Sequence, residues 1–181
     1  SCNFDTTLAA DGLHDFRARA LDGAGNATSS AIQTNRVIDN NAPTVALTNP
    51  GTPLRATVPL AATATDAGSG MASVAFQYTL TGGATWTTIS TDLATPFAAS
   101  FNTVGLNGIY DIRALATDVA GNQSTSVVTG IVLDNTPPTA TDIGTANGGA
   151  TAGRPDRGDT ISYTYSEPML ATSILAGWTG A

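Results

Sequence analysis

The sequence of 181 residues contains no lysine, and its seven basic residues are all arginine. Against 14 acidic residues this leaves a formal net charge of −7. With no basic stripe to neutralise phosphates, nucleic acid is excluded as a partner. There is one cysteine, Cys2, so no disulfide can form within the chain. Small exported domains often need such staples, but sandwiches of about 95 residues bury enough surface to fold without them. His14 is the only histidine and Glu167 the only glutamate, so no Ser-His-Asp or Cys-His set can be assembled in the middle of the chain. Two aspartates could in principle serve a glycosidase, but they would need a cleft to hold the sugar. No catalytic residue and no enzyme activity are expected. No apolar run approaches the ~20 residues that span a bilayer, so no membrane insertion is expected of this segment. The chain shows no initiator methionine and no signal peptide, and it is expected to be a piece of a longer protein, truncated at both ends.

Aromatic residues make up only 6% and charged residues 12%, while 41% are hydrophobic, much of that alanine. Cores should therefore be light, built of Val, Ile, Leu and Ala, with solubility resting on Thr, Ser, Asn and Gly.

A repeat is present. Asp118-Val119-Ala120-Gly121-Asn122 is followed by Asp134-Asn135-Thr136-Pro137-Pro138-Thr139, and the same pair occurs earlier as Asp22-Gly23-Ala24-Gly25-Asn26 and Asp39-Asn40-Asn41-Ala42-Pro43-Thr44. The offsets are 118 − 22 = 96 and 134 − 39 = 95 residues. Gly12–Asp22 and Gly108–Asp118 align without a gap, sharing Gly, Asp, Arg, two Ala and the final Asp. In the later copy Tyr110, Ile112, Ala114 and Ala116 alternate with Asp111, Arg113, Leu115 and Thr117, the period of a strand with one buried face. The Gly-Asn that follows suits a turn needing positive φ.

Residues 1–40 are expected to be the C-terminal half of a module, residues 41–135 one complete module, and residues 136–181 the start of a third of a different kind. In the complete module, strands are predicted around Val45 and Leu47, from Val58 to Ala64, through Val74, Phe76 and Tyr78, over Thr85–Ile89, from Phe97 to Phe101, and in the two strands of the repeat. Pro59, which has no N–H to donate, implies a sheet edge or a bulge. Thr81-Gly82-Gly83 is a hairpin signal that sets Trp86 across from Tyr78. About seven short strands in about 95 residues is what an all-β immunoglobulin-like sandwich requires. In the third module Ile161, Tyr163 and Tyr165 alternate as a strand after a long loop at 146–159, and Ile174–Trp178 is a further apolar patch.

The series Tyr78, Gly82-Gly83, Trp86, Pro96-Phe97, Gly108, Tyr110, Arg113-Ala114, Ala116, Asp118, Ala120-Gly121-Asn122, Asp134-Asn135 and Pro138 resembles the bacterial Ig-like repeats of large secreted and surface proteins, whose shape is related to fibronectin type III. The resemblance covers residues 41–135 and, as a half copy, residues 1–40. It implies a tandem array exported from a bacterium, on the cell surface or outside it, acting as stalk, spacer or adhesin segment. Its partners would be neighbouring Ig-like repeats and a host or glycan ligand. The alternative is an accessory binding module of a secreted carbohydrate-active enzyme, with Trp86 stacking on sugar. The resemblance also puts Tyr110 at a tyrosine corner, with His14 in its place in the first copy, and Leu60, Ala62 and Ala114 where antibody domains carry cysteines.

In such a sandwich the loop after the second strand, the loop before the last strand and the incoming linker share one pole. That brings together Asp66 with Ser69, Asp118 with Asn122, and Asp39 with Asn40. Converging carboxylates and amides suit Ca²⁺, which takes six to eight oxygen ligands. Asp134, Asn135 and Glu167 would form the next such group. Turn chemistry alone explains the same residues, because Asp and Asn bond to nearby backbone N–H groups.

Overall fold

The computed structural model describes residues 3–149, 151, 153–154, 156–170 and 173. Cys2 and the 174–178 patch lie outside them. The chain divides into two compact units, Ser1–Asn135 and Thr136–Ala181.

The first unit opens with a short 3-10 turn (Thr6–Leu8) and four short strands: β1 (Gly12–Phe16), β2 (Arg19–Leu21), β3 (Ala27–Ser29) and β4 (Gln33–Ile38). Seven more follow: β5 (Thr44–Leu47), β6 (Thr57–Thr65), β7 (Met71–Leu80), β8 (Thr87–Asp92), β9 (Phe97–Asn102), β10 (Gly108–Asp118) and β11 (Gln123–Leu133). These seven form two antiparallel sheets, one ordered β5-β6-β9 and the other β11-β10-β7-β8. They face each other as an Ig-like sandwich. Every second residue of β6 (Val58, Leu60, Ala62, Ala64) and of β10 (Tyr110, Ile112, Ala114, Ala116) is buried, as the period-two pattern requires. Val74, Phe76, Phe97, Phe101, Ile131 and Leu133 complete the core. Fully burying each of the larger of these side chains stabilises the fold by about 1.5–3 kcal/mol. Leu60, Ala62 and Ala114 belong to this core, so apolar packing occupies the place of an inter-sheet disulfide.

Pro59 pairs with Ser100 of β9, while β5 reaches along β6 only from Ala62 to Thr65. Pro59 therefore stands where β6 is locally an edge, and its missing N–H costs no ladder bond.

The leading segment repeats the bonding of β10 and β11 closely. Gly12 pairs with Ile38 and Leu13 with Val37, as Gly108 pairs with Leu133 and Ile109 with Val132. Both hairpins bulge one step later. In each, a left-handed residue (Asn35, φ 56°; Gly130, φ 73°) donates its N–H at 3.0 Å to the aspartate opposite (Asp15; Asp111). In the leading segment, however, the hairpin is split into β1-β4 and β2-β3.

Two expectations about aromatic residues are corrected. The Tyr110 ring is buried, yet its hydroxyl makes no hydrogen bond among the described residues, so no tyrosine corner forms. In the first copy His14 Nε2 lies 2.7 Å from the Ala10 carbonyl and makes the bond back to the backbone that the tyrosine does not. Tyr78 does not face Trp86 across the hairpin; it turns inward, 4.9 Å from Phe101 and 6.0 Å from Tyr110 between ring centroids. Trp86 instead lies under Arg113, whose guanidinium carbon is 4.2 Å from the ring centroid.

The second unit pairs β12 (Ala140–Ala146) with β13 (Thr160–Tyr165). Ile161 and Tyr163 are exposed, so the alternation there carries no buried face among the described residues.

Candidate functional site

The site lies at one pole of the sandwich. β10 ends at Asp118, and the next four residues turn back into β11. Asp118 donates its N–H to the Asn122 carbonyl at 3.1 Å, and Gly121 takes the left-handed φ of 99° that the turn demands. The Asp118 carboxylate fills the turn: Oδ1 accepts from the Gly121 and Asn122 N–H groups at 2.6 and 2.8 Å, and Oδ2 from the Asn122 amide at 2.8 Å. Asp118 is only 2% exposed, so these bonds replace its lost hydration.

The loop between β6 and β7 is built the same way. Asp66 Oδ2 accepts from the Gly68 and Gly70 N–H groups at 3.0 and 2.7 Å. The two loops are tied together by Val119 N–H to the Gly70 carbonyl at 2.9 Å and by Ala120 N–H to Ser69 Oγ at 3.0 Å.

The linker joins them through Asp39, itself 8% exposed. Its Oδ2 accepts from Ser69 N–H at 2.7 Å, its Oδ1 from Asn41 N–H at 3.1 Å, and its carbonyl from the Asn122 amide at 3.0 Å. Bonds from the Ser69 hydroxyl and N–H, in that order, outweigh desolvation and hold the Asp39 carboxyl below its ordinary value. Gly68 is required here, because a Cβ on it would meet the Asp39 carboxylate at 2.5 Å.

Carboxylate oxygens of Asp39, Asp66 and Asp118 thus come within 4.8 Å of one another. Oxygens bound to one Ca²⁺ at about 2.3–2.6 Å stand no farther apart than about 5 Å, so the spacing fits that ion. The amides do not join them as ligands. Asn122 points its NH₂ at Asp118 and at the Asp39 carbonyl, acting as a donor. Asn40 turns the other way: its amide donates to Asp11 at 2.9 Å and to the Thr6 carbonyl at 3.2 Å, and its oxygen accepts from the Thr6 hydroxyl at 3.0 Å. Asn40 as a metal ligand is thereby replaced by Asn40 as a clasp.

Asn135 repeats this clasp, donating to the Thr103 and Leu106 carbonyls at 2.8 and 2.7 Å and accepting from Ala56 N–H at 2.9 Å. The dipeptide Asp-Asn therefore divides its work. The asparagine closes the strands before it, and Asp39 engages the loops after it. The repeat of Asn at an offset of 135 − 40 = 95 residues was the available signal for this role.

Residues 43–114 match the family model described as a bacterial Ig domain. Over these residues the chain is a bacterial Ig-like domain. The matched residues run from the start of β5 to the middle of β10, and the remainder of β10 and β11 closes the same sandwich. No curated protein and no solved structure matches the chain. An Ig-like domain of this kind is a structural or adhesive module. No helix among the described residues is long and apolar enough to cross a membrane.

Proposed function

We infer that this chain is a non-catalytic stalk or spacer segment of a large exported bacterial surface protein, in which Ig-like repeats follow one another and hold a further part of the protein away from the cell. The observation that carries this reading is the linker. Asp39 and Asn40 are fastened on opposite sides, so that successive repeats would be joined by a bonded link. Its partners are then the neighbouring repeats of the same chain. Antibodies against residues 41–135 should label intact cells of the source bacterium. Labelling seen only after permeabilisation would overturn the surface assignment.

Calcium belongs to the same reading, with Asp39, Asp66 and Asp118 as its carboxylate ligands and water or carbonyl oxygens completing the shell. Three carboxylates this close repel one another, and a divalent cation would relieve that repulsion and stiffen the link. Calorimetry of Ca²⁺ binding, with melting curves in Ca²⁺ and in chelator, tests it. Binding heat and a higher Tm that are both lost in Asp66→Asn support the site; no heat and no shift would sink it.

The glycan-binding alternative gains little support, because the Trp86 face is covered by Arg113 and that arginine is held by Gln77 at 2.7 Å.

A further inference from the structure

Two asparagines in the chain are followed by glycine, Asn107-Gly108 and Asn147-Gly148. A glycine in that place has no side chain to shield its main-chain nitrogen, which can attack the asparagine amide before it. Asn147-Gly148 lies in the loop between β12 and β13, and its polar atoms are all engaged there. Gly148 donates its N–H to Asp159 Oδ1 at 3.0 Å. Asn147 Oδ1 accepts from the Gly149 N–H at 3.1 Å, which folds the side chain forward over the Gly148 peptide. The Gly149 N–H is shared with Asp159 Oδ1 at 3.2 Å. Both glycines are required by close approach, since a Cβ on Gly148 would collide with the Gly158 carbonyl oxygen and one on Gly149 with the Asp156 carboxylate. The Asp156 N–H, 3.0 Å from Oδ2, and then those of Gly148 and Gly149 hold the Asp159 carboxyl below its ordinary value against desolvation, so it is ionised at neutral pH.

A general base has to lie about 2.6–3.2 Å from the atom whose proton it takes, and an oxyanion donor about 2.7–3.1 Å from the oxygen that gains charge. Asp159 meets the first condition at the attacking nitrogen, and the Gly149 N–H meets the second at the attacked amide. At Asn107-Gly108 only the donor is in place. The Asn135 N–H reaches Asn107 Oδ1 at 2.7 Å, but Gly108 begins β10 paired with Leu133, and no carboxylate accepts from it among the described residues.

We propose that Asn147 is a self-modifying site, which cyclises onto Gly148 with Asp159 as base and then opens to aspartate or isoaspartate. Asp159 takes the Gly148 N–H proton as that nitrogen bonds to Asn147 Cγ. The Gly149 N–H receives the charge that develops on Oδ1. The Cγ–Nδ2 bond then breaks, the proton passes from Asp159 to Nδ2, and ammonia departs from a cyclic succinimide. Water is the co-reactant of the second step. Adding at Cγ, it restores the chain with aspartate at 147; adding at the main-chain carbonyl, it leaves isoaspartate, with the chain routed through Cγ. Either product sets a new carboxylate against Asp159, so a conversion that runs one way drives this part of the loop apart by like-charge repulsion.

The test follows Asn147 and Asn107 by peptide-mapping mass spectrometry of the full chain held at neutral pH, beside a synthetic peptide of residues 143–152. Asn147 should convert about tenfold or more faster in the chain than in the peptide. In Asp159→Asn its rate should fall by about tenfold or more, while Asn107 in the same digest converts as before. The competing role for Asp159 is a clamp that withholds the Gly148 nitrogen, and it predicts the opposite sign. Conversion of Asn147 no faster in the chain than in the peptide, or faster in Asp159→Asn than in the parent, overturns the proposal. Neither result bears on the labelling of intact cells, so the surface reading is tested separately.

Discussion

The turns at Asp22 and Asp118 share the asparagine that donates to the carboxylate and the left-handed glycine, although the second N–H to Oδ1 comes from Ala24 in one and from Gly121 in the other. Asn26 reaches Asp22 from N–H and amide at 2.8 Å each, as Asn122 reaches Asp118. Gly25 and Gly121 have φ of 92° and 99°. Yet Asp22 is exposed and Asp118 is buried, because only the second turn has the β6–β7 loop and the linker packed against it. The two copies separate what short-range bonding does from what burial does. The bonds select a conformation in either setting, whereas the free energy that makes the conformation cooperative comes from the apolar faces of β5, β6, β7 and β9.

The sharpest way to break this comparison is to truncate a buried ring of the sandwich and an exposed ring of the leading segment. Phe101→Ala should cost about 3–5 kcal/mol, with cavity and transfer terms adding. Phe4→Ala, at an exposed ring, should fall within about 0.5 kcal/mol of the parent. Urea unfolding followed by circular dichroism reads both. Next in size, Asp118→Ala should cost about 1–3 kcal/mol, since it removes a buried carboxylate and leaves the Gly121 and Asn122 N–H groups without their acceptor in a partly buried turn. In Asp22→Ala the Ala24 and Asn26 N–H groups turn to water, and the loss should be far smaller by the same melts. Asn135→Ala opens a half-buried clasp and should cost about 1–3 kcal/mol, more than Asn40→Ala at its exposed equivalent. Gly130→Ala puts a Cβ into left-handed backbone and should cost about 1–2 kcal/mol, while Asn35→Gly should shift stability by only a few tenths.

The smallest effect is one of pH. Asp22 and Asp39 have folded-state values below the ordinary 3.8, Asp22 chiefly through the Asn26 amide and Asp39 through the Ser69 hydroxyl. A depressed carboxylate contributes stability that is fully present above its unfolded value and is lost as pH falls through the folded one. Melting temperature should therefore be level above about pH 5 and decline below about pH 4. In Asp39→Asn that decline should be shallower.

Much of the sandwich was legible because its strands obey the simplest rule. Val58 to Ala64 and Tyr110 to Ala116 alternate cleanly, and Gly, Pro and Asp-Asn punctuate them. The meeting of Asp39, Asp66 and Asp118 followed from which loops share a pole. What was hidden depends on side-chain direction, which spacing does not encode. Asn40 and Asp39 are adjacent in sequence, yet successive residues point to opposite sides, and only one enters the cluster. The same rule places Tyr78 inside and Arg113 outside over Trp86. The bulge had a faint signal, a glycine at 130 within an apolar strand and an aspartate kept at 15 and 111 in both copies. β12 had none, since Ala140-Thr141-Asp142-Ile143-Gly144-Thr145-Ala146 shows no apolar alternation.

Native-state hydrogen exchange at the two turns tests the separation most directly. The Asn122 amide should exchange only when the whole Ig-like domain unfolds, tracking its stability in urea, while the Asn26 amide should exchange many times faster through local opening that urea hardly changes. Equal protection at Asn26 and Asn122, with the same urea dependence, would contradict the claim that burial rather than short-range bonding makes the second copy cooperative.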